Sequence, residues 1–142
     1  MSEIQNCDWC ENNTLDWRTI RKTENSRSFI SIPWFRAGQC IVIPNRHVAS
    51  LNELKPEESS EIMTELGRLG VSLDAGYGTG IMQKFAPLQD QNGIKMNHLH
   101  FHVFPRRESE EGLFPTPYPN DFSAFYKPNE AEVIDLVEKL KR

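Results

Sequence analysis

Asn97-His98-Leu99-His100-Phe101-His102-Val103-Phe104-Pro105 holds three of the four histidines in this 142-residue chain. In an extended strand successive side chains point to opposite faces, and residues two apart are separated by about 6.6–6.8 Å. His98, His100 and His102 therefore line one face, with Leu99, Phe101 and Val103 on the other. The apolar set can pack on a core while the imidazoles border a cleft. Imidazole serves as proton shuttle, nucleophile or metal ligand. A row of three points to chemistry on that face.

Working outward, Ser28–Ile32 reads as a strand ended by Pro33, and Gln39–Ile43 as a second stopped by Pro44. Cys40 lies within that apolar run and reads as core filler, because a free cysteine behaves as a small hydrophobe. The segment 33–38 between the two strands is turn-like, and the polar stretch 11–28 reads as a loop. Ser50-Leu51-Asn52-Glu53 has the form of a capping box opening a short helical turn. Pro56 suits the first turn of a longer helix, in which Ile62, Leu66, Leu69 and Leu73 form one buried stripe. Gly76-Tyr77-Gly78 ends that helix, Thr79–Phe85 is a third strand, and residues 86–95 form a polar loop before the histidine strand Met96–Phe104. Asn129-Glu130-Ala131-Glu132 caps a last helix with Val133, Val137 and Leu140 inward. The assembly is α+β, an antiparallel sheet with helices on one side. Residues 1–107 form the core with its N-terminal segment. Residues 108–142 add an irregular wrap and the C-terminal helix to the same domain. The aromatics of the wrap (Phe114, Tyr118, Phe122, Phe125, Tyr126) are packing for an irregular segment, with stacking on a base as the alternative.

A formal charge of −4 argues against a nucleic-acid polymer as partner, since that calls for a basic surface. No apolar stretch approaches the ~20 residues of a membrane span, and the first residues lack a basic region followed by an apolar one. A cytoplasmic location is the expectation. In a reducing compartment three cysteines do not make a disulfide framework.

Cys7 and Cys10, with His47 and His98, supply two thiolates and two imidazoles. That is a Cys₂His₂ set of the kind zinc favours in closed structural sites. Such an ion would also tie down an otherwise polar N-terminal segment; the alternatives are a redox pair or two unrelated thiols at Cys7 and Cys10, or an unliganded N-terminus with a surface histidine at position 47. A single zinc held by the three strand histidines is excluded in a straight strand. They span about 13–14 Å, against zinc–nitrogen bonds of about 2.0–2.1 Å. The histidine face suits phosphoryl or nucleotidyl transfer instead, with one imidazole attacking phosphorus and another steadying its oxygens. Lys95, Arg106 and Arg107 stand nearby as cations for phosphates, or simply as solvated charges.

The run from His98 to Phe104 resembles the signature of the histidine-triad (HIT) superfamily: His, apolar, His, apolar, His, apolar, apolar. Gly38-Gln39-Cys40-Ile41-Val42-Ile43-Pro44-Asn45-Arg46-His47 is similar to the family's segment of glycine, strand, Ile-Pro, basic residue and His. The resemblance spans roughly residues 7–107. It implies a five-stranded antiparallel sheet with helices, usually in a homodimer. By this resemblance His100 is the nucleophile, attacking the α-phosphorus of a nucleotide to give a covalent nucleotidyl-histidine. His102 contacts the α-phosphate oxygens, and His98 braces the strand. In zinc-containing members the residue at His98 is shared with one structural zinc per chain, beside Cys7, Cys10 and His47.

Gly93-Ile94-Lys95-Met96-Asn97 stands where many members carry Gly-Gln-Ser/Thr, which passes phosphate recognition to Lys95. Ser31 aligns with the family's ribose-gripping acid or amide, and Gln83 with an amide that contacts phosphate. A histidine at position 102, where the nucleotidylyltransferases of sugar metabolism resemble a Gln, favours hydrolysis. The implied activity is a nucleotide hydrolase acting on dinucleoside polyphosphates such as diadenosine tetraphosphate. The alternatives are a nucleoside phosphoramidase, a nucleotidyltransferase, or a non-catalytic adenine-nucleotide-binding module.

Overall fold

The computed structural model describes residues 7–10, 14–32, 34, 36–83, 88–89, 95–96, 98–106 and 126–142. Seven strands occur among them: β1 (Thr19–Lys22), β2 (Ser26–Ile30), β3 (Cys40–Pro44), β4 (Thr79–Gln83), β5 (Leu88–Gln89), β6 (Lys95–Met96) and β7 (Phe101–Pro105). Five form one sheet in the order β1-β2-β3-β7-β4, with every neighbouring pair antiparallel. Two helices, α1 (Pro56–Leu73) and α2 (Glu130–Leu140), complete the fold.

One face of the sheet packs on both helices. Ile30, Cys40, Val42, Leu99, Phe101 and Val103 meet Ile62, Leu66 and Leu69 of α1 and Val133, Val137 and Leu140 of α2. The four-three spacing of the α1 residues is what presents them to the sheet together, and truncating such a buried leucine to alanine costs about 2–5 kcal/mol. Burial also pushes the Cys40 thiol far up, so it stays protonated as a core residue. The opposite face carries Phe29, Ile41 and Ile43, covered by Cys7, Trp9 and Leu15 from the N-terminal segment. β3 is therefore buried along its whole length.

Both capping boxes are present. The Asn129 side chain accepts from Glu132 N at 2.8 Å, and Ser50 and Glu53 close the 3-10 turn Leu51–Glu53. Past α1, Asp74 accepts from the amides of Gly76 and Gly78 at 2.8 and 2.9 Å. Both glycines sit at positive φ, a region side chains disfavour.

Two expectations are corrected. Residues 11–28 are not all loop, because β1 pairs with β2 as an edge strand. It was hidden by having one buried residue, Ile20, in four. The histidine run is not one straight strand either. β7 starts at Phe101, while Met96, expected to open that strand, pairs with Leu88 in a separate two-stranded sheet whose other residues, Leu88, Gln89 and Lys95, fall in the expected polar loop. Of the expected third strand, Thr79–Gln83 is observed, and residues 84–85 lie outside the described residues. Phe114, Tyr118, Phe122 and Phe125 lie outside the described residues. Tyr126 stacks on Trp34 with ring centroids 5.9 Å apart. Two backbone hydrogen bonds, Trp34 N to Tyr126 O at 2.7 Å and Tyr126 N to Trp34 O at 3.1 Å, join the same residues.

Candidate active site and metal centre

The loop after β3 brings His47 to His98. Arg46 anchors that loop, its Nε and Nη2 donating to the two Glu58 carboxylate oxygens at 3.1 and 2.8 Å and Nη2 also to Glu53 O at 2.7 Å. The Leu99 amide then donates to Val48 O at 2.7 Å, and the His47 and His98 rings meet edge to face at 4.9 Å. On the other side, Cys7-Asp8-Trp9-Cys10 is a tight turn closed by Cys10 N to Cys7 O at 3.0 Å. The Thr14 hydroxyl donates to Asp8 O at 2.6 Å and ties the turn to the following chain.

The result is a cluster in which one donor atom from each of Cys7, Cys10, His47 and His98 lies within 4.8 Å of the others. Cys7 Sγ is 3.6 Å and Cys10 Sγ 3.4 Å from His98 Nδ1, and Cys10 Sγ is 3.2 Å from His47 Nδ1. Sulfur and nitrogen on one tetrahedral zinc, with bonds of about 2.3 and 2.0–2.1 Å, stand about 3.6 Å apart. The donor spacings fit such an ion. The tautomer fits too: His98 Nε2–H donates to Pro44 O at 2.8 Å, which directs the Nδ1 lone pair at the thiols. Burial pushes the His98 imidazole down to about 4, the neutral state a ligand needs. These four residues could bind a metal.

All three alternating histidines are buried, yet their hydrogen bonds differ. His100 Nδ1–H donates to the His98 carbonyl at 2.8 Å, so the ring lone pair is carried by Nε2. His102 Nδ1 instead accepts from the Gln39 side-chain amide at 2.8 Å, so its proton is on Nε2. The two rings meet nearly perpendicular with centroids 5.1 Å apart. Adjacent imidazoles thus hold opposite tautomers, one presenting a lone pair and the other a proton through the same ring atom. Gln39 was not singled out from the sequence. No local sequence signal links it to His102; the sheet does, because Gln39 is two residues before Ile41, which pairs directly with His102.

Ser31 is buried and its amide donates to Gln39 O at 3.0 Å, beside the residue that holds His102. Gln83 is placed differently. It pairs with Phe101, whose side chain is in the helix-side core, whereas Met82 pairs with His102. The register therefore does not bring Gln83 onto the histidine face. Of Lys95 the backbone pairing with Gln89 is described, Arg106 sits at the end of β7 with its amide donating to Gly78 O, and Arg107 lies outside the described residues.

The HIT domain model matches residues 14–109. The chain belongs to the HIT domain family. Its five-stranded antiparallel sheet with two helices is the HIT fold, shared with the Zn-bound histidine triad family protein from Mycobacterium smegmatis. That structure has a TM-score of 0.65 and 21% identity, over 96% of this chain and 94% of that one. Among curated HIT relatives, the adenosine 5'-monophosphoramidase of Schizosaccharomyces pombe is 26% identical over 66% of this chain and 68% of its own length. The asymmetrical bis(5'-nucleosyl)-tetraphosphatase of the same yeast is 24% identical over 63% of this chain and 49% of its own length. At the level of the family, these curated relatives are nucleotide hydrolases.

Proposed function

We propose that this chain hydrolyses nucleotides at the α-phosphate through a covalent nucleotidyl-histidine. The pair of opposite tautomers at His100 and His102 carries the reading. His100 Nε2 donates its lone pair to phosphorus, the P–N bond forms, and the bond to the leaving group breaks with its electron pair departing on that group. His102 Nε2–H donates to an α-phosphate oxygen, where charge accumulates. Water then displaces His100 and returns the free imidazole. Ser31, whose amide bonds to Gln39 O, is the residue assigned to the ribose, and Lys95 is the cation assigned to the phosphates. One zinc per chain, held by Cys7, Cys10, His47 and His98, supplies a fixed cross-link between the N-terminal turn and the histidine segment.

The preferred substrate class is a dinucleoside polyphosphate such as diadenosine tetraphosphate. A nucleoside phosphoramidate is the second reading, favoured by the larger share of the phosphoramidase's own length that the chain matches. A panel of diadenosine tetraphosphate, adenosine phosphoramidate and a nucleotide-sugar separates them by turnover, with the tetraphosphate expected to be cleaved fastest. Faster phosphoramidate cleavage transfers the assignment to that class. Binding of all three without turnover would identify a nucleotide-binding module.

The same reading makes the working unit a cytoplasmic homodimer. Edge strand β4 exposes Ile81, and the neighbouring α1 exposes Met63 and Val71, an apolar set suited to a second copy. Sedimentation should give twice the chain mass, and Ile81→Lys combined with Val71→Lys should halve it. A wild-type chain that sediments as a monomer at all concentrations rejects the dimer.

A further inference from the structure

Trp9 sits inside the Cys7–Cys10 turn, two positions after one thiol and immediately before the other. Its indole is nearly buried at 8% exposure and meets three rings edge to face. Phe29 is 5.3 Å away, His98 6.2 Å, and His100 5.2 Å at an interplanar angle of 83°. The shortest of these contacts is to the ring assigned the attack on phosphorus.

The indole therefore touches both His98 of the metal cluster and His100, the ring assigned as nucleophile. The turn around Trp9 is closed by Cys10 N to Cys7 O at 3.0 Å, and a metal on the two thiols would hold it to His98. Phe29, in the middle of a fully paired strand, backs the indole from the sheet. The backbone hydrogen bond to the His98 carbonyl sets the His100 tautomer, and ring packing adds to what orients the imidazole. Trp9 at 5.2 Å and His102 at 5.1 Å both meet that ring edge to face.

We infer that Trp9 is a positioning residue that transmits metal occupancy of the Cys7–Cys10 turn to the orientation of the His100 ring. The inference rests on the metal site and on the role assigned to His100, so its test reads ring geometry as well as catalysis.

The His100 ring C–H resonances of the full chain are recorded with zinc bound and after treatment with a chelator, in wild type and in Trp9→Leu. The ring current of the indole should displace the wild-type signals in the zinc-loaded state. Chelation should move them towards their positions in Trp9→Leu, and should move those of Trp9→Leu much less. Zinc-loaded Trp9→Leu should keep one metal per chain and a KM close to wild type, while formation of the nucleotidyl adduct slows by about 10–100-fold, as for other groups that orient a reacting residue. Trp9→Phe, which retains an aromatic edge, should restore most of that rate.

His100 signals indifferent to chelation and to Trp9→Leu would overturn the inference whatever the activity of the chain. So would a Trp9→Leu defect confined to KM, which would make the indole a nucleotide contact. Loss of zinc from both Trp9→Leu and Trp9→Phe would reduce Trp9 to a structural part of the turn. A wild type whose His100 signals respond as described but which forms no adduct with any substrate sinks the proposed function and leaves the coupling standing.

Discussion

His100→Ala should abolish turnover and, with it, the covalent intermediate. Wild-type protein mixed with a dinucleotide substrate and quenched in mild base should yield an acid-labile nucleotidyl adduct, one per chain, and the variant none. The expected loss in kcat is on the order of 10⁴-fold or more, the scale seen when a nucleophile is removed from a group of residues that act as a unit. The basis is directional. The Nδ1–H of His100 is committed to the His98 carbonyl, so the variant loses the one ring atom whose electron pair the mechanism uses. His102 cannot take over, because the Gln39 amide donates to its Nδ1 and its Nε2 holds the proton. An adduct of undiminished yield in His100→Ala would remove this residue from the nucleophile's place.

The second large effect concerns the metal. Elemental analysis should find one zinc per chain, and Cys7→Ser should lower both zinc content and thermal midpoint. A serine hydroxyl does not match the thiolate as a soft ligand, and ligation free energy is folding free energy for the segment it orders. Cys7 is buried with Trp9 and Leu15 against Phe29, Ile41 and Ile43, so losing the ion also loosens the apolar cover of one sheet face. Each kcal/mol lost lowers the midpoint by roughly 2–4 °C in domains slightly larger than this one. Zinc content unchanged in both Cys7→Ser and Cys10→Ser would exclude the thiols as ligands.

Much of the site can be read in the sequence because it obeys strand parity. His98, His100 and His102 on one side and Leu99, Phe101 and Val103 on the other follow from alternation alone, although β7 covers only part of the run. The four metal-site residues also stand out by type, there being few histidines and cysteines to distribute. What escapes is whatever depends on register or on a partner distant in the chain. Gln39 and His102 are 63 residues apart, and nothing in either local segment pairs them. Gln83 is a polar residue near the right strand end, but a one-residue difference of register decides which face it meets. β1 is obscured because an edge strand needs little hydrophobic patterning. Arg21 there is held by its ion pair to Glu65 of α1 at 2.7 Å rather than by burial of apolar surface.

The hydrogen bond from His100 to the His98 carbonyl has a consequence for inheritance. Codon changes at position 98 alter the imidazole but leave a peptide oxygen in place. A lineage can therefore shed the metal ligand while retaining the acceptor that sets the tautomer of the nucleophile. Variation at one residue thus separates two properties that its side chain and main chain now hold together. Drift in the cysteine turn need not carry the chemistry away with it, provided another side chain comes to fill the place of the indole.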